Sequence, residues 1–377
     1  MSKHALLSAS SSHRWLNCPP SARLCESYED KGSDYAAEGT DAHSLCEFKL
    51  KTALGMDAQE PTENLTYYSE EMEDCASDYA AYVLELVEVA KKSSSDPVIL
   101  IEQRLDYSRF VESGFGTGDC IIVADGTLTI VDYKHGRGIL VEADNNPQMM
   151  LYALGALEIF DGIYDIETVC MTIYQPRRSS VSTFTLSKED LYQWAEDTLT
   201  PAAELAYAGN GNYQCGEWCQ FCKAKHDCRE RAEYNLELAK FDFHLPPLLT
   251  DEDVEEILGR IDGLVSWAND IKEYALQAAV GGKEWHGWKL VEGRSNRRYT
   301  DETVVAEVVT AVGFDPYERK VMGVTAMTSL LGKKRFAEVL GGYIEKPQGK
   351  PTLVPESDKR PAINTAKQDF NEFEEDK

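Results

Sequence analysis

Three apolar runs between residues 97 and 134 constrain the fold of this chain most strongly. The runs PVILIEQRLDY, GTGDCIIVA and GTLTIVDYK are rich in β-branched residues and are separated by glycine or polar residues. Asp125-Gly126, between the second and third runs, is typical of a tight hairpin turn. The sequence therefore predicts three strands here, of which the last two form a hairpin.

A helix and two more strands follow the hairpin. Residues 145–160 (NNPQMMLYALGALEIF) contain Asn146, a favoured N-cap residue, and Pro147, a residue favoured at the first helical position. ETVCMTIYQP and SVSTFTLS are typical of strands, and helical patterns precede the first strand at 39–54 and 68–92. This order predicts an α/β fold with a mixed central sheet flanked by helices.

The chain has 377 residues, which exceeds the usual size of a single domain. We expect a domain of residues 1–240 that contains the sheet. A mostly helical accessory region of residues 241–344 follows, and its first helix opens on a capping-box pattern at Thr250 and Asp253. From residue 345 the composition turns to Pro, Gly, Lys and Glu, so we expect 345–377 to form an extended or disordered tail.

The charge balance restricts where a nucleic acid can bind. Lys and Arg number 38 against 65 Asp and Glu, giving a net charge of −27, which argues against diffuse binding to nucleic acid or an anionic membrane. A phosphate-binding surface must therefore be local, and 134–138 (KHGRG) and 287–299 supply local positive charge. The sequence shows neither an apolar stretch of about 18 residues nor a signal-peptide core, so we expect a cytoplasmic protein.

Two aspartates and a lysine lie where the strands of the hairpin end. Residues two apart on a strand share a face, so Asp132 and Lys134 should project together, and the hairpin brings Asp119 of the neighbouring strand beside them. Two carboxylates can share a divalent metal, while a nearby ammonium can orient water or stabilise negative charge. The alternative for an isolated D-x-K is a hairpin with an exposed ion pair.

The order of motifs around this hairpin resembles the RecB-like branch of the PD-(D/E)XK nuclease superfamily. EGTDAH (38–43) matches the helix that carries a metal-binding histidine in that branch, GTGD (116–119) supplies the first aspartate, and IVDYK (130–134) supplies the D-x-K. QMMLY (148–152) is similar to the Q-x-x-x-Y of the next helix. Glu102 lies on the strand that usually precedes the first aspartate. The resemblance implies a restriction-endonuclease-like core.

This resemblance implies a role for each matching residue. His43, Asp119 and Asp132 would be metal ligands for two divalent ions, Mg²⁺ or Mn²⁺, and Lys134 would orient the nucleophilic water. Gln148 and Tyr152 would position the site or the DNA backbone. These two residues are four apart and hence on one helix face, although the spacing alone also fits a partly buried helix edge.

The ten cysteines raise the question of a second metal site. A reducing cytosol disfavours a disulfide framework, so clustered cysteines suggest metal. A local zinc site is the direct reading of the cluster Cys215, Cys219, Cys222 and Cys228. Five further cysteines are expected to be free apolar residues, namely Cys25, Cys46, Cys75, Cys120 and Cys170.

An iron-sulfur centre is the interpretation that we favour over a zinc site that includes Cys215. SASSSHRWLNCPPSARL (8–24) and the C-x-x-C-x-x-x-x-x-C segment resemble the two ends of the iron-sulfur nucleases of this superfamily, the AddB-type helicase-nucleases and the CRISPR-associated adaptation exonucleases. Cys215 is then not needed as a ligand. His226, inside the cysteine loop, could substitute as a ligand, but an ordinary exposed loop histidine is the favoured interpretation. Cysteine spacing does not itself choose the metal. The resemblance implies a [4Fe-4S] cluster that closes the nuclease domain, with the ligands Cys18, Cys219, Cys222 and Cys228.

Together these features predict a metal-dependent DNA exonuclease that acts on the ends of linear duplexes and yields single strands. The layout also looks like phage stand-alone nucleases of about this length, which implies a single-strand annealing protein as partner and the host cytoplasm as location. Ring-forming relatives imply a homo-oligomer as one arrangement. The competing hypotheses are a non-catalytic DNA-binding or scaffolding protein with a structural metal site, and a redox-responsive or zinc-responsive regulator.

Overall fold

A computed structural model describes residues 5–29, 32–238, 249–291, 299–317, 321–345 and 354. The chain divides into two units, Met1–Val291 and Glu292–Lys377. Residues 292–298 of the predicted basic segment lie outside the described residues, as does the predicted tail apart from 345 and 354. Among the described helices, none combines the length and the apolar character that a membrane crossing requires.

A five-stranded sheet lies at the centre of the first unit. Its order is β1 (Val98–Asp106), β2 (Phe115–Ala124), β3 (Gly126–Tyr133), β4 (Ile166–Gln175) and β5 (Ser180–Ser187). β3 and β4 run parallel, whereas the other neighbouring strands are antiparallel. The sheet is therefore mixed, as predicted, and each strand lies within one residue of its predicted bounds.

Helices flank this sheet and continue to the C-terminal region. The first unit contains α1 (Ser12–Asn17), α2 (Ser21–Leu24), α3 (Asp34–Ala53), α4 (Glu70–Ser93), α5 (Pro147–Phe160), α6 (Lys188–Trp194), α7 (Thr200–Ala208), α8 (Arg229–Leu236) and α9 (Asp251–Val280). The second unit contains α10 (Glu302–Ala311), α11 (Val324–Leu331) and α12 (Lys333–Leu340). The α/β class and the mostly helical C-terminal region are thus confirmed. α5 connects the parallel strands β3 and β4.

The sheet separates two hydrophobic clusters. Residues of α5 pack on one face in a cluster that includes Leu105, Ile121, Ile130, Met150 and Leu154. Residues of α3 and α4 pack on the other face in a cluster that includes Leu45, Tyr79, Val83, Ile122 and Tyr133. Because successive strand residues point to opposite faces, β1 to β4 contribute to both clusters, whereas the described residues of β5 contribute to the first cluster alone. The end of the β2–β3 hairpin is therefore held between α3 on one side and α5 on the other.

Side-chain caps set where the helices begin. The predicted caps are present at Asn146 of α5 and Thr250 of α9. α3 begins five residues before its predicted start, because the Ser33 hydroxyl accepts the N–H of Ala36 at 3.1 Å. His43 consequently lies in the interior of α3, where the backbone N–H and C=O groups are hydrogen-bonded within the helix.

Candidate functional site

Side chains from α3, β1 and β2 converge at one end of the hairpin. Ligand atoms of His43, Glu102 and Asp119 all lie within 4.8 Å of one another. His43 Nδ1 is 3.4 Å from Asp119 Oδ2. Imidazole and carboxylate groups suit divalent first-row metals, and carboxylates also suit Mg²⁺. This His–Glu–Asp group is a candidate divalent-metal site.

Glu102 has an unusual backbone conformation. It lies in β1 opposite Asp119, between Ile101 and Gln103, which both pair with β2. Its φ is 52°, a left-handed value that is uncommon outside glycine and costs on the order of 1–3 kcal/mol. The local departure from strand geometry accompanies the approach of the Glu102 carboxylate to Asp119.

The three groups of the site alter one another's proton affinity. Burial raises the pKa of Glu102 to about 7, and the charge of Asp119 adds to the increase. Burial would lower the pKa of His43, but the adjacent Asp119 outweighs it and raises the pKa to about 9. Burial would raise the pKa of Asp119, yet His43 and Lys134 lower it. At neutral pH the Asp119 carboxylate therefore faces an imidazolium, whose proton a bound cation would replace.

A hydrogen-bonded chain of side chains adjoins this group. Asp132 Oδ2 lies 2.9 Å from Lys134 Nζ. Gln148 Nε2 donates to Asp132 Oδ1 at 3.1 Å and to Tyr152 Oη at 3.2 Å, while Gln148 Oε1 accepts from Lys134 Nζ at 3.3 Å. Burial would lower the pKa of Lys134, but the Asp132 and Asp119 carboxylates raise it. The lysine therefore keeps its charge at neutral pH.

Asp119 connects the two sets of residues. Its Oδ2 accepts the backbone N–H of Tyr133 at 2.7 Å, which confirms that the hairpin brings Asp119 beside the D-x-K. Burial raises the pKa of Asp132. Asp132 Oδ2 is buried and accepts no hydrogen bond of good geometry from the described residues, although Lys134 Nζ is close. A cation is one partner that could satisfy this oxygen.

The predicted site residues fall into these two adjoining sets. His43 and Asp119 belong to the His–Glu–Asp group, and the other four predicted residues form the hydrogen-bonded chain. Asp132, predicted as a metal ligand, lies outside the three-residue group, whereas Glu102 lies within it. The sequence motifs assign Glu102 no role in the site. The available signal was a glutamate that directly follows the apolar run PVILI within a predicted strand.

Gly116, the first glycine of GTGD, leaves room for Tyr152. A Cβ at this position would lie 2.7 Å from Tyr152 Cε1, which is closer than real Cβ contacts allow. The Tyr152 side chain is buried against the sheet. A glycine is therefore needed here so that the helix carrying Gln148 can pack closely on β2.

We expect Gly116→Ala to displace the Tyr152 ring and to lower the free energy of unfolding by about 1–3 kcal/mol. Urea-induced unfolding of the purified variant measures this change. Gly136→Ala is the matched control, because a Cβ at Gly136 would meet no atom within 4 Å. Equal stability of the two variants would contradict the packing role assigned to Gly116.

Acidic side chains offset the positive charge of the loop 134–138. Arg137 forms an ion pair with Glu71 of α4. The buried His135 lies 3.5 Å from Glu38 of α3, and burial lowers its pKa. The local positive charge predicted for this loop is thus largely engaged by carboxylates, and Lys134 is the loop cation that reaches the site.

Five cysteines line one cavity. Arg14 and Arg231 also line it. Its cysteines are Cys18, Cys215, Cys219, Cys222 and Cys228. The N-terminal and C-terminal cysteine segments therefore meet. Among the described residues, no three of these sulfurs lie within 4.8 Å of one another, whereas a tetrahedral zinc site with Zn–S bonds of about 2.3 Å needs its sulfurs closer than that. The cavity brings the five cysteines close to one another, but their sulfurs are not arranged as the ligands of a single metal ion.

The remaining cysteines differ in their surroundings. Cys46, Cys75 and Cys120 are buried in the hydrophobic cluster under α3 and α4, as predicted for apolar cysteines. Cys25 instead lies with its sulfur 3.7 Å from the sulfur of Cys222. The sequence contains no local sign of this contact.

The fold and the site define an α/β protein with a five-stranded mixed sheet, flanking helices and a His–Glu–Asp group that could hold a metal ion. The chain belongs to the family described as "Protein of unknown function (DUF2800)", which matches residues 4–361. It is also similar to a solved structure titled "Crystal structure of SSO0001". The identity is 14%, the TM-score is 0.22, and the match covers 49% of this chain and 95% of that chain.

Proposed function

We propose that this protein is a divalent-metal-dependent DNA exonuclease of the RecB-like PD-(D/E)XK type. One observation carries the proposal. The His–Glu–Asp group adjoins the hydrogen-bonded side chains of Asp132, Lys134, Gln148 and Tyr152 at one end of the β2–β3 hairpin. A chance D-x-K at the end of a hairpin would not require a histidine, a second aspartate and a Q-x-x-x-Y helix to converge on it.

The donor set fits a divalent cation. One imidazole and two carboxylates lie within reach of a single ion, and the buried Oδ2 of Asp132 lacks a hydrogen bond of good geometry. His43, Glu102 and Asp119 would hold one Mg²⁺ or Mn²⁺ ion, and Asp132 would contribute to a second. When bound, such ions polarise the phosphoryl group and stabilise the leaving oxygen.

Lys134 is suited to act on the water and the phosphate. Asp132 at 2.9 Å and Gln148 Oε1 at 3.3 Å orient its ammonium group. Because neighbouring carboxylates raise its pKa, the ammonium can donate a hydrogen bond to an attacking water or to a phosphate oxygen. Gln148 and Tyr152 act as positioning residues, since Gln148 bonds Asp132, Lys134 and Tyr152 together.

Digestion of an end-labelled linear duplex tests the proposal. We expect label to be released in Mg²⁺ or Mn²⁺, with a chelator stopping the reaction and a closed circular duplex resisting it. Lys134→Ala should lose the activity, while Lys92→Ala, at an exposed position near the end of α4, should keep it. DNA binding without cleavage in either metal would instead indicate the non-catalytic DNA-binding protein.

A [4Fe-4S] cluster is the second part of the proposal. The resemblance to iron-sulfur nucleases supports it, and so does the shared cavity, which brings Cys18 to the C-terminal cysteines. The cavity is also lined by two arginines, which suit a centre whose thiolate ligands carry negative charge. The ligands would be Cys18, Cys219, Cys222 and Cys228.

We expect Cys219→Ser to remove the iron and the visible absorption of protein purified without oxygen. The measurement is metal analysis together with an absorption spectrum. Cys170→Ser, in β4 and away from the cavity, should retain both. Colourless wild-type protein that carries zinc would contradict the iron-sulfur assignment and favour a zinc site that includes Cys215.

The biological setting belongs to the same proposal. The phage-nuclease resemblance supports recombination beside a single-strand annealing protein, and ring-forming relatives support a homo-oligomer. Co-expression with an annealing protein, followed by size-exclusion chromatography, measures both the binding of that partner and the oligomeric state of this protein. Separate elution of the two proteins would argue against the partnership.

A further inference from the structure

Cys25 and Cys222 form a pair of thiols at the edge of the cysteine cavity. Their sulfurs lie 3.7 Å apart although the residues are 197 positions apart in the chain. They are 7% and 9% exposed and form a small cluster with Ala224. The fold therefore holds two buried sulfurs in contact from distant segments.

The two sulfurs have different access to the cavity. Cys222 lines the cavity, whereas Cys25 is not among its described lining residues. A small reagent that enters the cavity meets Cys222 first. The Cys25 sulfur lies 3.7 Å from the Cys222 sulfur, so it is placed to attack that sulfur once it is oxidised.

Arg14 holds Cys25 in this position. Its Nη1 donates to Cys25 Sγ at 3.3 Å, and also to Ser21 O at 2.7 Å and Ser21 Oγ at 3.0 Å. These contacts anchor the guanidinium, which orients the Cys25 sulfur towards Cys222. By contrast, the sulfurs of Cys215 and Cys219 lie 4.0 Å apart, both line the cavity, and Cys219 Sγ accepts a backbone N–H.

We propose that Cys25 and Cys222 are a redox-active dithiol that closes to a disulfide when the cavity holds no metal centre. The oxidant is a peroxide. Closure needs the sulfurs to move from 3.7 Å to a bond of about 2.05 Å, a change within the reach of side-chain rotation. This inference does not depend on nuclease activity.

The chemistry balances with one peroxide for each disulfide. The Cys222 sulfur attacks an oxygen of hydrogen peroxide, the O–O bond breaks, and one water leaves, so that Cys222 becomes a sulfenic acid. The Cys25 sulfur then attacks the Cys222 sulfur, the S–S bond forms, the S–O bond breaks, and a second water leaves. The two thiols lose two electrons and two protons, and the peroxide is reduced to two waters.

The disulfide would protect Cys222 while the centre is absent. A sulfenic acid with no nearby thiol proceeds to sulfinic acid, which thiol reductants do not reverse. A disulfide with Cys25 can be reduced again. Cys222, one of the four proposed ligands, could then not bind metal as a disulfide, but reduction would restore its thiol.

Peptide mapping of the full-length protein tests this inference. The protein is freed of metal with a chelator, treated with hydrogen peroxide, alkylated, and digested without reductant for tandem mass spectrometry. We expect a crosslink between Cys25 and Cys222 in the wild type and in Cys46→Ser, whose thiol lies in the other cluster. The crosslink should be absent in Cys25→Ser, whose folding is checked by near-ultraviolet circular dichroism.

Zinc uptake provides a second readout that needs no crosslink. After peroxide treatment the wild type should take up Zn²⁺ fully only once dithiothreitol is added. Cys25→Ser should not recover, because its Cys222 has become sulfinic acid. Wild-type protein in which Cys215 joins Cys219 while Cys25 remains alkylated would overturn the inference, as would sulfinic acid at Cys222 in place of the crosslink.

Discussion

Asp132→Asn is expected to reduce cleavage of linear duplex DNA at least about 100-fold. Asparagine keeps the volume of the side chain but removes the charge that faces Lys134 Nζ at 2.9 Å. The buried Oδ2, which accepts no good hydrogen bond from the described residues, would no longer offer a cation an anionic oxygen. Initial rates of label release in Mg²⁺ and in Mn²⁺ measure the effect.

The hairpin provides a matched control for this substitution. Asp125 lies at the opposite end of the same two strands, in the exposed turn between β2 and β3. Asp125→Asn should therefore cleave DNA at the wild-type rate. Circular dichroism of both variants shows whether the sheet is intact. An Asp132→Asn protein that is folded and retains more than about a tenth of the activity would refute the proposed site.

Glu102→Gln is expected to make the metal-free protein more stable at pH 8. Burial raises the pKa of Glu102 from 4.5 to about 7 in the folded protein. Folding at high pH must therefore bury a carboxylate whose desolvation is unfavourable. At about 1.4 kcal/mol for each pKa unit, the cost is at most about 3.5 kcal/mol. Glutamine removes this cost and keeps the shape of the side chain.

The same pKa shift predicts how the stabilisation depends on pH. Below about pH 4.5 the glutamate is protonated in both the folded and the unfolded chain, so the substitution should change little. Between about 4.5 and 7 the unfolded chain releases its proton first, and the folded wild type loses stability relative to the variant. Thermal unfolding in a chelator at pH 4.5 and at pH 8 should show the difference only at the higher pH.

With metal bound, the wild type should be more stable than Glu102→Gln, which is the reverse of the order expected without metal. Because a ligand that binds only the folded state stabilises it, Mn²⁺ should raise the melting temperature of the wild type more than that of Glu102→Gln. Glu112→Gln, in an exposed loop after β1, is the control and should respond to Mn²⁺ as the wild type does. A Glu102→Gln protein that melts earlier at pH 8 without metal would contradict the assigned burial cost.

Much of the fold could be predicted from local patterns. The five strands, the turn at Asp125-Gly126 and the caps Asn146 and Thr250 all lie where the sequence places them. Strand alternation, turn conformation and helix capping act over two to five residues, so they can be read directly from the chain. The pairing of Asp132 with Lys134 follows from the same two-residue period.

The candidate site could be predicted only in part. Motif order pointed to His43, Asp119 and the D-x-K. The sequence did not predict that Glu102 lies beside Asp119. This position accompanies a left-handed φ at Glu102 within a strand, and no pattern of residues predicts such a conformation. The Arg137 charge looked free in the sequence, but Glu71 of a distant helix pairs with it.

By itself, the sequence determined which segments become strands and helices and which motifs stand at the ends of the central hairpin. It also determined the net charge of −27, which argues against diffuse binding of nucleic acid over the whole surface. Only the tertiary structure decided that Glu102 faces Asp119 and that Cys25 touches Cys222. The physical reason is distance along the chain. Local preferences arise between neighbouring residues, whereas these contacts appear only when packing of the whole core brings remote segments together.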